Sequence, residues 1–221
     1  MIEHAGGMCL LSVLVCFATP AANIRRHMDW MILGILVAGC AALMVAERFG
    51  VPTTLQLQFK GDVKRETRWL AQYGQSLCTP IAALLVFQLD PGPGRVPLHR
   101  GLALVGGVLV ASIIAMLMKR TIGRVRPGRE NAGKFLGPTL KHANYRESFP
   151  SSHSACAVAL SAILATWYPP AAATFWGLGV GCAVLRWVLD AHWPSDVIGG
   201  IALGYGVALA TLAVGARTQW Y

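Results

Sequence analysis

The run SACAVALSAILATWYPPAAATFWGLGVGCAVL, residues 154–185, contains no Asp, Glu, Lys or Arg. A bilayer-spanning helix needs about 17–25 mostly apolar residues, so this run is too long for one crossing and long enough for two. Pro169 and Pro170 interrupt it near its middle. Proline removes a backbone donor and turns the residue before it away from helix. The run therefore reads as two spans, about 151–168 and 171–189, joined by a tight turn. A chain that goes in and comes back puts residues near 150 and near 190 on the same membrane face.

The same absence of charge recurs on either side. Residues 5–24, 31–46, 75–89, 101–118 and 197–215 also lack Asp, Glu, Lys and Arg, and with 154–185 they make up more than half of the 221 residues. The chain is 55% hydrophobic and 13% charged, against about 25% charged for an ordinary soluble domain. Its mean hydropathy is +0.52. These values exclude disorder, which needs low hydrophobicity and high charge, and argue against a soluble domain. The expected fold class is all-α: a polytopic membrane helix bundle with six core spans at 29–46, 74–90, 100–118, 151–168, 171–189 and 196–215. Pro80 falls inside the second span, where a kink is tolerated. The first run, 5–24, has Arg25 and Arg26 after it rather than a basic segment before it, the reverse of a cleavable signal peptide. Residues 1–28 read either as an extra N-terminal span or as an extension ahead of an alternative start at Met28. Residues 29–221 form the six-helix domain. The six cysteines all lie in apolar runs without zinc-site spacing and read as small buried hydrophobes.

The net charge is +9. In a soluble protein that would suggest nucleic acid; in a membrane protein the natural partners are phosphates, and no nucleic-acid partner is expected. The charge is concentrated. Residues 119–150 carry Lys119, Arg120, Arg124, Arg126, Arg129, Lys134, Lys141 and Arg146 against Glu130 and Glu147. This loop does not cross the membrane, so Lys119 shares the face of residues 150 and 190.

Three stretches thus converge on one surface. The stretch Lys119 to Pro127 holds four cations in its first eight residues, which suits a multiply charged anion or, more blandly, lipid phosphates met by snorkelling side chains. Phe149-Pro150-Ser151-Ser152-His153 opens a helix with Ser151 as an N-cap, and a helix N-terminus favours phosphate. The bland alternative is a capped helix with an interfacial histidine. Arg186 to Asp196 places an arginine near the end of an uncharged span. It also sets His192 and Asp196 four residues apart, where a carboxylate can orient an imidazole; a structural ion pair is the alternative. Together these are the parts of metal-free phosphoryl transfer: positive charge for the equatorial oxygens, one histidine to attack phosphorus and another to protonate the leaving oxygen. Few loop carboxylates and no helical His pair are available to a catalytic metal, and no cofactor is expected.

The pattern Lys-x6-Arg-Pro (Lys119–Pro127), Pro-Ser-x-His (Pro150–His153) and Arg-x5-His-x3-Asp (Arg186–Asp196) resembles the type-2 phosphatidic acid phosphatase family, the lipid phosphate phosphatases. The resemblance implies a six-helix membrane bundle that needs no metal and is inhibited by vanadate. It assigns His192 as the nucleophile that forms a phosphohistidine, Asp196 as its orienting carboxylate and His153 as the general acid. Lys119, Arg126, Arg186, Ser151 and the backbone at Ser152 would bind phosphate. Ser152 stands where the family usually has Gly, and Leu185 where it usually has Ser.

The leading expectation is a lipid phosphatase acting on a phosphatidate, phosphatidylglycerophosphate or polyprenyl diphosphate type lipid. Alternatives are a lipid phosphotransferase, a lipid A type phosphatase, and a non-enzymatic anion-binding membrane protein. A transporter fits less well, because transporter sites lie at the bilayer midplane. Lys and Arg counts by themselves would put the site in the cytoplasm; the resemblance places it on the extracytoplasmic side of a bacterial inner membrane. We follow the resemblance, since several cations of the basic loop are assigned to substrate phosphate.

Overall fold

The break at the two prolines is where the hairpin turns. In the computed structural model, the helix before it ends at Trp167, a 3-10 turn covers Pro169–Ala171, and the next helix runs Ala172–Val188. The structure describes residues 20–55, 57, 59–75 and 77–218. The expected extra span at 5–24 lies almost wholly outside the described residues.

Among the described residues there are seven α-helices: α1 Pro20–Arg48, α2 Gly61–Leu70, α3 Cys78–Leu89, α4 Val96–Ile122, α5 Ser152–Trp167, α6 Ala172–Val188 and α7 Pro194–Thr218. Segments Arg26–Arg48, Val96–Ile122, Pro169–Val188 and Pro194–Thr218 are long and apolar enough to cross a membrane, and Cys78–Leu89 and Ser152–Trp167 are shorter apolar helices. These six helices fall at the positions of the six expected spans, four of them long enough to cross by themselves. Two boundaries differ. The first helix begins at Pro20 rather than near 29. Pro80 sits in the first turn of α3, not inside a longer span, so its missing N–H removes no intrahelical bond and no kink is needed.

The bundle is built around α5, where every residue from Ser154 to Ala165 is buried. It packs against α4, α6 and α7, while α1 packs on α7 and α3 on α4. Water does not drive helix association inside a bilayer, so close packing of small residues must do so. Ser154, Ala155, Ala157, Ala159, Ser161 and Ala162 give α5 a small surface on several sides. Gly200 and Gly204 of α7 lie one turn apart against it. A Cβ on Gly200 would come 2.5 Å from the Ser151 carbonyl oxygen, and one on Gly204 would collide with the Ala155 carbonyl. Gly204→Val is therefore expected to destabilise the bundle by about 1–3 kcal/mol or more, read as a lower melting temperature in detergent. An unchanged melting temperature would mean that α5 and α7 do not meet there.

The helix ends set up the functional face. Gly123 (φ 65°) caps α4 in the left-handed conformation, its N–H donating to the Lys119 carbonyl. This αL cap turns the chain immediately after Lys119. Residues 124–148 then fold back on themselves. Val125 N–H donates to Lys134 O, Arg126 N–H to Tyr145 O and Ser148 N–H to Arg124 O, and the Trp193 indole donates to Val125 O at 3.0 Å. The basic loop is thereby tied to the start of α7.

Candidate active site

Four segments meet at this end of the bundle: the end of α1, the end of α4 with its loop, the start of α5, and the α6–α7 connection. Ser151 caps α5. Its side chain accepts from Ser154 N–H, its own N–H donates to the Asp196 carbonyl at 2.9 Å, and it is fully buried. Ser152, the next residue, instead accepts a 2.9 Å hydrogen bond from Lys119 Nζ. A residue with a hydroxyl where the resembling family usually has glycine thus touches the lysine directly.

The α6–α7 connection is short and closely hydrogen-bonded. Ala191 and His192 N–H groups both donate to the Arg186 carbonyl. Asp196, in the first turn of α7, reaches back to accept from Trp193 N–H at 3.0 Å, the carboxylate half of a capping box. Its other partners are the Ser148 hydroxyl and Arg124 Nη1, the latter at 2.6 Å. His192 Nδ1 lies 3.7 Å from Asp196 Oδ2, just outside hydrogen-bond distance, and Nε2 lies 3.5 Å from Arg126 Nη1. The imidazole therefore sits between a carboxylate on one ring nitrogen and a guanidinium on the other. Burial pushes its pKa down to about 3 against the opposing pull of Asp196. A neutral ring with a free lone pair is the state required of a nucleophile.

Arg126 is fixed by three backbone carbonyls: Nε donates to Asn144 O, Nη1 to Ala191 O and Nη2 to Glu147 O. Lys119 lies within electrostatic reach of Arg126 and Arg186, and His153 within reach of Arg186, His192, Lys119 and Arg126. Arg186 Nε is buried without a hydrogen-bond acceptor among the described residues. Glu147 balances some of this charge. Burial raises its pKa, but the Ala143 amide and the His142 ring hold the carboxyl below its usual range. Three cations, two imidazoles and the Asp196 and Glu147 carboxylates lie within one another's fields, an arrangement able to receive a multiply charged anion and to supply a base and an acid.

The structure thus gathers His192, His153, Asp196, Lys119, Arg126, Arg186 and Ser152 at one end of the bundle and puts Ser151 behind them as the cap. It also brings in residues that spacing did not single out. Arg124 Nη2 pairs with Glu47 at 2.7 Å and Nη1 with Ser195 Oγ at 2.6 Å, while Glu47 accepts from the Ser195 N–H and hydroxyl. The Arg124 guanidinium lies 5.3 Å from the Trp193 ring centroid and 5.5 Å from that of Phe135. Both terminal nitrogens of this arginine, one of the loop cations, are therefore committed to protein groups. Gln75, from the segment before α3, brings its side-chain amide to 2.6 Å from His153 Nε2. A cavity of about 430 Å³ beside His153 and Ser152 descends between α3 and α4 along Thr79, Val105, Leu109 and Ser112. Among the described residues no group of three or more His, Cys, Asp or Glu side chains is placed to hold a metal ion.

Residues 100–220, which hold all three motifs, match the family model described as the PAP2 superfamily. The chain belongs to the PAP2 superfamily. Among curated proteins, the lipid A 1-phosphatase of Rhizobium etli is 38% identical over 112 residues, covering 50% of this chain and 48% of that protein. The lipid A 1-phosphatase of Rhizobium johnstonii is likewise 38% identical over 112 residues, 50% of this chain and 46% of the relative. The chain spans about half the length of the curated relatives it matches. A transmembrane PAP2-type phosphatidylglycerolphosphate phosphatase from Bacillus subtilis, known from a crystal structure, superposes with a TM-score of 0.60 at 18% identity. That match covers 86% of this chain and 95% of the other, and supports the PAP2 membrane fold.

Proposed function

We propose that this protein is a membrane lipid phosphatase whose His192 attacks the phosphorus of a lipid phosphate. The observation that carries the reading is the neutral, buried His192 held between Asp196 and Arg126 at the mouth of the bundle. In the first step a bond forms from His192 Nε2 to phosphorus as the bond from phosphorus to the lipid oxygen breaks. His153 gives a proton to that departing oxygen. Lys119, Arg126 and Arg186 hold the equatorial oxygens, with Ser152 and the first N–H groups of α5 beside them. In the second step water attacks the phosphohistidine, His153 takes the water's proton, and phosphate leaves with His192 restored. The cations take the charge-stabilising role that a metal plays elsewhere, so turnover is expected to persist in EDTA and to be blocked by vanadate.

The cavity between α3 and α4 suits an apolar chain, which makes a membrane lipid a better substrate than a soluble ester. Among lipids, the relatives' name favours a lipid A type 1-phosphate, ahead of phosphatidate, phosphatidylglycerophosphate and polyprenyl diphosphate. A phosphotransferase would use the same site with an alcohol in place of water. We place the site on the extracytoplasmic side of a bacterial inner membrane; a single cysteine at position 134 should react with impermeant reagent in intact cells.

The test is phosphate release from these lipids by detergent-purified protein in EDTA, with mass spectrometry of the products. Release from at least one lipid is expected; none from any overturns the reading, and phosphoryl transfer to a supplied alcohol in place of release assigns the alternative. His153→Ala should lower kcat by about 10²–10⁴-fold, with much of the loss recovered on a substrate whose leaving group needs no proton. Equal losses on both substrates would remove His153 from the acid role.

A further inference from the structure

Helix α2 touches α6 but is not held by a buried face. None of its residues is buried, and it lies outside the segment that matches the family. Its charges are unequally used. Arg65 pairs with Asp62 at 3.0 Å and with Glu66 at 3.6 Å, whereas Lys64 and Arg68 have no acidic partner within ion-pair distance among the described residues. These two stand four residues apart, on one face of the helix. With Trp69, Tyr73 and Gln75 they line a concavity of about 980 Å³, whose wall also holds Arg65 and Glu66, an ion pair that leaves Lys64 and Arg68 as its net charge. Gln75 is also in the wall of the cavity beside His153, and its amide touches the His153 ring. The α2 concavity therefore adjoins the reacting centre on the side of the general acid, where the lipid part of a substrate must lie.

Val63, Trp69 and Leu70 are all more than half exposed. A short helix with an apolar edge and unpaired cations, joined to the end of a span, lies in the interface between headgroups and acyl chains. Lys64 and Arg68 are then held at headgroup depth beside the site rather than free in water.

We propose that the α2 concavity is a second anion subsite, in which Lys64 and Arg68 bind an anionic group of the substrate lipid other than the phosphate that is removed. It rests on the lipid phosphatase reading and adds a substrate class: lipids carrying two separated anionic groups. The scissile phosphate lies against Lys119, Arg126 and Arg186, and the second group meets α2 across Gln75. The competing use of the same chemistry is attraction of anionic bulk lipid to the protein.

The experiment compares wild type with Lys64→Gln/Arg68→Gln in uncharged detergent, on a lipid bearing two separated phosphates and on its counterpart bearing only the scissile one. Loss of two charged contacts should raise KM for the two-phosphate lipid by about tenfold or more, with kcat unchanged and both constants unchanged for the one-phosphate lipid. Equal weakening on both lipids, or no change on either, overturns the subsite. A preference restored to the variant by adding anionic lipid would assign α2 to the membrane surface, and also overturns it. The one-phosphate lipid reports on folding, and Lys64→Ala/Arg68→Ala gives a second variant at the same exposed positions. If wild type hydrolyses neither lipid, the phosphatase reading itself fails; if it hydrolyses both and the variant shows no selective loss, only the subsite does.

Discussion

His192→Ala is expected to lower phosphate release by at least about 10⁴-fold, the scale seen when a covalent nucleophile is removed, while membrane integration and yield stay normal. The size follows from the position of the ring. His192 is 1% exposed and is the imidazole paired with Asp196, and among the described residues no second histidine stands between that carboxylate and Arg126. Chemical quench with a radiolabelled lipid phosphate should trap an acid-labile phosphoenzyme in wild type and none in the variant. Full turnover by the variant would end the nucleophile assignment. His192→Asn keeps some of the volume and guards against a collapsed loop. Because burial holds the ring pKa down to about 3, imidazole nitrogen shifts of His192 should stay in the neutral range from pH 8 to pH 5. The same shift affects stability. The unfolded chain takes up a proton near 6.5 while the folded ring resists it, so His192's contribution is complete above about pH 6.5 and is lost as pH falls toward 3.

Arg124→Ala is expected to be the most destabilising single change. It leaves the Glu47 and Asp196 carboxylates, 2% and 0% exposed, without the guanidinium between them. Removing one member of a buried ionic group costs about 3–5 kcal/mol, visible as a large fall in melting temperature in detergent. Arg124→Lys keeps the charge but not the fork that reaches Glu47, Ser195 and Asp196 together, and should recover only part of the loss. Glu47→Gln should cost less, since one carboxylate remains for the arginine. If Arg124→Ala melts like wild type, the network does not hold α1 to α7.

Most of the fold was legible because bilayer solvation leaves a coarse mark: a run without charge long enough to cross. Pro169 and Pro170 split the longest run, and a hairpin at that split places residues 150 and 190 together. The site motifs were legible for a related reason, since Lys119, His153, Arg186 and His192 are the polar groups left at the mouths of uncharged spans. Glu47 was not. It sits 77 residues from Arg124 and 148 from Ser195, and an acid at the end of a span looks the same whether it faces water or an arginine. Gln75 was missed likewise: a neutral amide near a helix start has no signature until His153 is beside it. Pro80 was misplaced because a charge-free run does not mark where, inside it, the helix begins.

The brevity of α5 bears on how the protein is made. Sixteen residues rise about 24 Å, short of the roughly 30 Å hydrocarbon core, and alanine and serine give this segment little drive to leave the translocon for lipid by itself. Its entry must be coupled to that of α6, across the proline turn, with the already inserted α4 as a docking surface. Substitutions on the α6 face that receives α5 should therefore appear first as biogenesis defects, with residues 151–189 left untranslocated, before any effect on the finished protein is measurable.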